Sequence, residues 1–185
     1  MVFVALKRPP RRTNRVACEG TFTPHPAPAP VSLPGTLRRA TPDDAPAVAR
    51  LLQVAYKDNE KLGVEYNAAA VTEERVRRYL VRDEVWVLER DGRLVATVGL
   101  QRHIEVRRLA VDPDARGSGV AAELLAFAEG EAAQAGFREA QLFVDGDHPW
   151  LQGFYTRHGW EEEGRVSVPE YPGWEMVKFQ KRLGR

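Results

Sequence analysis

The segment Leu109-Ala110-Val111-Asp112-Pro113-Asp114-Ala115-Arg116-Gly117-Ser118-Gly119-Val120-Ala121 carries the clearest chemistry in the sequence. A β-rich run enters a turn, and two glycines then open an apolar stretch with helical spacing. Amide N–H groups in the first turn of a helix have no internal partner. Together with the helix dipole they attract an anion. Gly117 and Gly119 lack the Cβ atoms that would hold a phosphate away. Arg116 adds a positive charge that is retained at any physiological pH. Backbone donors in series with one guanidinium suit a diphosphate. The same glycines would also serve a plain strand–helix connection. A dinucleotide is a rival ligand, because Gly117-x-Gly119-x-x-Ala122 loosely fits the nucleotide fingerprint and Asp145 closes the next β-rich run. Against it, Asp112 to Arg116 separate the strand end from the first glycine, and no second βαβ half follows.

The elements around this loop read clearly. Thr36 to Arg39 is a short first strand. Thr41-Pro42-Asp43-Asp44 opens a helix by its capping residues, and Val48, Leu51, Leu52 and Ala55 give it one apolar face. From Asp58 to Ala70 the chain is polar and predicts an irregular connection. Thr72-Glu73-Glu74 starts a second helix with Val76, Tyr79 and Leu80 inward. Val85 to Leu88 and Leu94 to Leu100 form a hairpin about Asp91-Gly92. Ile104 to Val111 is the third strand of that group. Val120 to Gln134 is helical, with Ala121, Leu124, Leu125, Ala128 and Ala132 in one stripe. Ala140 to Val144 is a strand, Pro149 to Arg157 a short helix, and two last strands flank Pro169 to Gly173. The middle of the chain is a strand–loop–helix–strand unit, which requires a parallel crossover. The order predicts a mixed α/β sheet, mostly antiparallel, with one central parallel pair and helices on both faces.

Composition bounds the rest. The chain has 185 residues, 43% hydrophobic and 29% charged, with a net charge of +1. These are the proportions of a globular protein. Residues 1–35 carry a charge of +4 and seven of the thirteen prolines, while the other 150 residues sum to −3. This divides the chain into a disordered Pro/Arg-rich tail, 1–35, and a folded domain, 36–185. A domain without a basic excess argues against nucleic acid as partner. No apolar run reaches the ~18–20 residues that span a bilayer, and Val2 to Leu6, with its charges after it, is too short for a signal-peptide core. A cytoplasmic protein without a membrane partner is expected. Cys18 alone forms no internal disulfide, and the scattered histidines have no metal-ligand spacing.

The run from Glu105 through Ala121 resembles the acetyl-CoA-binding motif of the GNAT N-acetyltransferase superfamily, Arg/Gln-x-x-Gly-x-Gly/Ala. Arg116, Gly119 and Ala121 fill its three defining positions. Phe154-Tyr155-Thr156-Arg157-His158-Gly159-Trp160 resembles the family's second motif, Phe-Tyr-x-x-x-Gly-Phe, with Trp in place of the last Phe. The resemblance spans roughly Thr36 to Arg182. It implies the GNAT fold and acetyl-CoA as co-substrate, without a metal. It also implies a cleft where Ile104–Val111 and Ala140–Val144 splay apart. The pantetheine arm would lie against the backbone of Leu109, Ala110 and Val111, and the diphosphate on the amides of Arg116, Gly117, Ser118, Gly119, Val120 and Ala121. Members often carry Asn seven residues before the tyrosine. This chain has His148 there, a residue that can also donate to the CoA arm.

The implied reaction is direct acetyl transfer to a primary amine. An ammonium must first lose a proton, and Glu105 is the candidate base. Tyr155 is the candidate donor to the departing thiolate. An N–H near Leu109 would stabilise charge on the thioester oxygen. In the family the acceptor pocket comes from the first two helices, their connection and the last hairpin loop, here Tyr56 to Ala70 and Pro169 to Gly173. Asp58, Glu60, Glu65, Glu170, Tyr56, Tyr66 and Tyr171 there suit a cationic small-molecule or peptide amine. Members are often homodimers, and no exposed apolar helix here demands one. Two other classes compete with the enzyme: a non-catalytic acyl-CoA sensor and a dinucleotide-dependent oxidoreductase.

Overall fold

The computed structural model describes residues 35–61, 71–146, 148–167 and 174–184. The tail expected at 1–35 therefore lies outside the described residues except for Gly35. The acceptor candidates Glu65, Tyr66, Glu170 and Tyr171 lie outside them too.

Strand β1 (Thr36–Arg39) leads through a 3-10 turn at Pro42–Asp44 into helix α1 (Ala45–Lys61). Asp44 accepts the Thr41 N–H at 2.8 Å, which closes the entry to the helix. The polar run Asp58-Asn59-Glu60-Lys61 predicts loop, yet α1 continues to Lys61. Apolar spacing gives no signal there, but Glu and Lys are good helix formers. Helix α2 (Glu73–Arg82) starts where Thr72 accepts the Arg75 N–H at 3.2 Å. Strands β2 (Glu84–Arg90) and β3 (Arg93–Gln101) form the expected hairpin, and β4 (Glu105–Val111) follows. Helix α3 (Val120–Gln134), strand β5 (Glu139–Asp145), helix α4 (Leu151–Arg157), and strands β6 (Glu161–Ser167) and β7 (Glu175–Arg182) complete the order.

The seven strands form one sheet in the order β1-β2-β3-β4-β5-β7-β6. Only β4 and β5 run parallel; the other neighbours are antiparallel. This is the mixed sheet that the crossover unit predicts. One face is covered by α1 and α2: Val48, Leu52, Val76 and Tyr79 pack on Val85, Val87 and Ala110. The other face is covered by α3 and α4: Leu124, Leu125, Ala128 and Tyr155 pack on Val98, Val106, Leu142 and Phe179. No helix among the described residues is long and apolar enough to cross a membrane.

The first strand is tied to the first helix by charge. Arg38 donates from both Nη atoms to Asp44, at 2.8 Å each, and from Nε to Glu89 at 3.2 Å. The Arg38 guanidinium, helped by the Thr41 N–H, draws the Asp44 carboxyl down from 3.8 to about 2. A depressed carboxyl pKa stabilises the fold above the unfolded value, and that contribution disappears as pH falls through the folded value. Asp44→Asn should therefore cost about 1–2 kcal/mol at about pH 6.5, after discounting for solvent screening. The gap between the two proteins should close as pH falls from about 4 to about 2. Urea midpoints of both proteins across that range test this.

Candidate active site

Three local features of the sequence build the site, and the first is the divergence of two strands. The parallel register between β4 and β5 consists of a single pair, Glu105 with Gln141. The Gln141 N–H donates to Ile104 at 2.8 Å at the same point. Strand β5 instead pairs along its whole length, Glu139 to Asp145, with β7. The backbone of Leu109, Ala110 and Val111 therefore lies beyond the only β4–β5 rung. An extended arm can pair with backbone in such an opening as an added strand would.

The second feature is the loop after β4. A 3-10 turn at Pro113–Ala115, opened by Asp112 accepting the Asp114 N–H at 3.0 Å, carries the chain toward α3. Ser118 donates its hydroxyl to the Ala115 carbonyl at 2.6 Å and braces the loop. Gly117 and Gly119 have φ of +74° and +83°. That is left-handed backbone, which L side chains rarely adopt. A Cβ at either glycine would meet no protein heavy atom within 4 Å. The conformation, and not crowding by the protein, is what selects glycine. The Glu123 N–H bonds to the Gly119 carbonyl at 3.1 Å. Amides earlier than this first helical bond are the donors that α-helix geometry leaves without an internal acceptor. Val120 is buried, while Gly117, Ser118 and Gly119 are exposed. The cradle fits a diphosphate on the ground of its donors. Arg116 is placed differently from a free surface cation: its Nη2 donates to the Ala55 carbonyl of α1 at 2.8 Å. The guanidinium thus ties the loop to the first helix.

The third feature is a bulge in β4. Opposite β3, Ala110 pairs with Thr97 and Arg107 with Gly99, so β4 holds one residue more than its partner. Arg108 takes φ +54° at this bulge, a left-handed conformation that one class of bulge uses. A regular strand would send Arg107 and Arg108 to opposite faces. Instead the Arg108 guanidinium lies 3.6 Å over the Tyr79 ring of α2 and donates to Asp83 at 2.8 Å. Asp83 also accepts from Arg82 Nε at 3.0 Å, and its side chain is fully buried. The Arg107 guanidinium feels both Arg108 and Asp83 and donates from Nε to Glu105. Burial works against the charge of Arg107, and Glu105 supports it.

Phenols line the space around this charge cluster. Burial pushes the Tyr56 hydroxyl up to about 12, against the pull of Arg108. Burial also raises Tyr79 and Tyr155 well above 10, and the nearby Tyr56 raises each further. Tyr56 packs on the same α1–α2 cluster as Tyr79. Tyr155 packs against Phe154, Trp160 and Phe179, with ring centroids 5.1, 6.2 and 6.1 Å away. Trp160, in the position of the second motif's final aromatic, is buried and donates Nε1 to Glu129 at 2.8 Å. Lys181 meets the same Glu129 carboxylate at 2.7 Å.

His148 is buried at the head of α4. Its Nδ1 accepts the Leu151 N–H at 3.4 Å. Accepting at Nδ1 puts the neutral ring's proton on Nε2. Burial also pushes the ring toward the neutral form, against the attraction of Asp145. His148 is therefore a neutral Nε2–H donor at the end of β5, beside Trp150.

Of the residues singled out by sequence, Glu105 is paired with Arg107 beside the β4 bulge, and Tyr56 packs on the α1–α2 side of the sheet. The loop Arg116 to Ala121 stands at the far end of β4. The sequence pairs Glu105 with Arg107, as the structure does, but gives no sign of Arg108 and Asp83 beside them. The motif itself contains Arg107-Arg108, but nothing local in it announces a bulge.

Two family models, each described as an acetyltransferase (GNAT) domain, match residues 81–162 and 36–107. S-(2-succino)cysteine N-acetyltransferase of Bacillus subtilis (strain 168) is 28% identical over 158 residues, covering 79% of this chain and 94% of that one. S-alkylcysteine N-acetyltransferase of the same organism is 25% identical over 137 residues, covering 67% and 77%. PaiA N-acetyltransferase of Thermoplasma acidophilum, solved with coenzyme A, shares the fold with a TM-score of 0.66 at 16% identity, over 80% of this chain and 98% of that one. The two family matches overlap and together run without a break from Thr36 in β1 to Glu162, just past the second motif. With both motifs in register on the splayed sheet, this chain belongs to the GNAT superfamily and is an N-acetyltransferase, a class whose acyl donor is acetyl-CoA.

Proposed function

We propose that the protein moves the acetyl group of acetyl-CoA to the α-amine of a small amino acid of the S-substituted cysteine class. One observation carries the transferase geometry: the β4–β5 ladder holds a single rung, at Glu105, and no further pair joins the two strands on the way to the anion cradle that follows β4. The acceptor class rests on the names of two relatives, both of which act on cysteines carrying a sulfur substituent.

The bound donor supplies an activated thioester; the chain supplies position and proton handling. Leu109, Ala110 and Val111 offer backbone to the arm. The amides of Arg116, Gly117, Ser118, Gly119, Val120 and Ala121 hold the diphosphate, and the imidazole of His148 is a further contact for the arm. Glu105 takes one proton from the acceptor ammonium, whose pKa lies above neutrality and would otherwise keep most of it unreactive. The C–N bond forms as the C–S bond breaks, and the thiolate leaves. Tyr155 stays protonated throughout the neutral range because its pKa is raised. It donates a hydrogen bond to the leaving sulfur, and the second amine proton completes the thiol. Per turnover, one proton is released from Glu105 to solvent.

Thiol release from acetyl-CoA in the presence of S-methylcysteine tests the reading. Amine-dependent release and an N-acetylated product are expected. Coenzyme A binding with no release across amino acids, simple amines and peptides would contradict it and favour an acyl-CoA sensor.

A further inference from the structure

Alternation along the strands sorts the side chains near Glu105 by face. On β5, Ala140, Leu142 and Val144 belong to the α3–α4 core, so Gln141, Phe143 and Asp145 point the other way. On β7, Val177 and Phe179 belong to that core, and Met176, the partner of Asp145, faces away from it. On β4, Val106 belongs to it too. Glu105 therefore stands on the opposite face, beside Gln141 at the single β4–β5 rung. That is the face on which α1 and α2 pack over β2, β3 and β4, and their core takes in no residue of β5 or β7.

Phe143 is half-buried on an inner strand and belongs to neither core. Its ring lies on the same face as Glu105, two residues along β5 from the rung. At ~3.3 Å per residue that is ~7 Å along the strand. Two residues farther, Asp145 is 2% exposed and accepts the Trp174 Nε1–H at 2.6 Å. The bond fixes the Trp174 indole, also half-buried, on this face. From Glu105 the face thus runs past Gln141 to one aromatic ring and then to a second. In an S-substituted cysteine two carbons separate the amine from the sulfur. With the amine at Glu105, the sulfur and its substituent extend over the interval to Phe143. A thioether gains at an aromatic ring both from burial and from the sulfur–ring contact.

We infer that Phe143 is a specificity-determining residue that receives the sulfur substituent of the acceptor, with the Trp174 indole, held by Asp145, bounding the far side. This inference rests on the acceptor class proposed above. It adds the group that separates a thioether amino acid from a plain one.

The test compares two acceptors that differ only in the methylthio group, S-methylcysteine and alanine, on the wild type, Phe143→Ala and Phe143→Leu. The wild type should prefer S-methylcysteine. Phe143→Ala should lower kcat/KM for S-methylcysteine by about 10-fold, the scale on which an apolar site reads a small apolar group. It should leave kcat/KM for alanine within about twofold. Phe143→Leu, which keeps an apolar surface, should retain part of the preference. Calorimetric binding of coenzyme A, within about twofold of the wild type, shows that both variants fold. A preference that persists in Phe143→Ala, or an equal fall for both acceptors, overturns the inference while leaving the proposed reaction standing. Transfer to neither amino acid by the wild type overturns the acceptor class, and this inference with it.

Discussion

Glu105→Gln should lower kcat/KM for the amine acceptor by about 10²–10³-fold, the usual contribution of a positioned general base, and leave coenzyme A affinity within about twofold. Glutamine keeps the shape of the side chain and can still accept from Arg107 Nε through its amide oxygen, so packing on β4 is preserved. It cannot take a proton. The residual rate of the variant should climb with pH as solvent deprotonates the acceptor, approaching the wild type once pH passes the α-amine's own pKa. A flat pH profile with full activity near neutrality would remove Glu105 from the mechanism.

The second large effect concerns the cradle. Gly119 holds φ +83° one residue before α3, and a valine there is strained by at least about 1–2 kcal/mol. The strain should show as a Tm lower by several degrees for a chain of this length. Because a Cβ at Gly119 meets nothing in the protein, the variant should still fold. Its side chain, however, would stand among the amides that hold the diphosphate. Gly119→Val should weaken coenzyme A binding about 100-fold, equivalent to about 2.7 kcal/mol, far more than it changes the reactivity of acceptor once the donor is saturating. Calorimetry and melting curves separate the two effects. A valine variant that melts lower yet binds coenzyme A normally would place the diphosphate elsewhere.

Much of this arrangement is legible in the sequence. Capping residues fixed the entries of α1 and α2, and the glycines at 117, 119 and 136 bracketed α3, whose observed span Val120–Gln134 is the expected one. The parallel crossover followed from element order alone. What escaped reading depends on long-range contact. Arg107 and Arg108 share a wall because a bulge sits at an arginine with positive φ, held by Asp83 from the end of α2 and by stacking on Tyr79. Alternation predicts the opposite. Arg116 reads as a cation for phosphate, but its bond to the Ala55 carbonyl, 61 residues away, has no sequence signal. The end of α1 escaped for a different reason: its last turn is polar, so periodicity falls silent where propensity still favours helix.

Hydrogen exchange on the full chain, with and without coenzyme A, tests the central claim most directly. Exchange at the amides of Gly117 to Ala121 should slow on binding, together with that of the β4 backbone at Leu109 to Val111. Binding that protects some other stretch, or no binding at millimolar coenzyme A, would contradict the account.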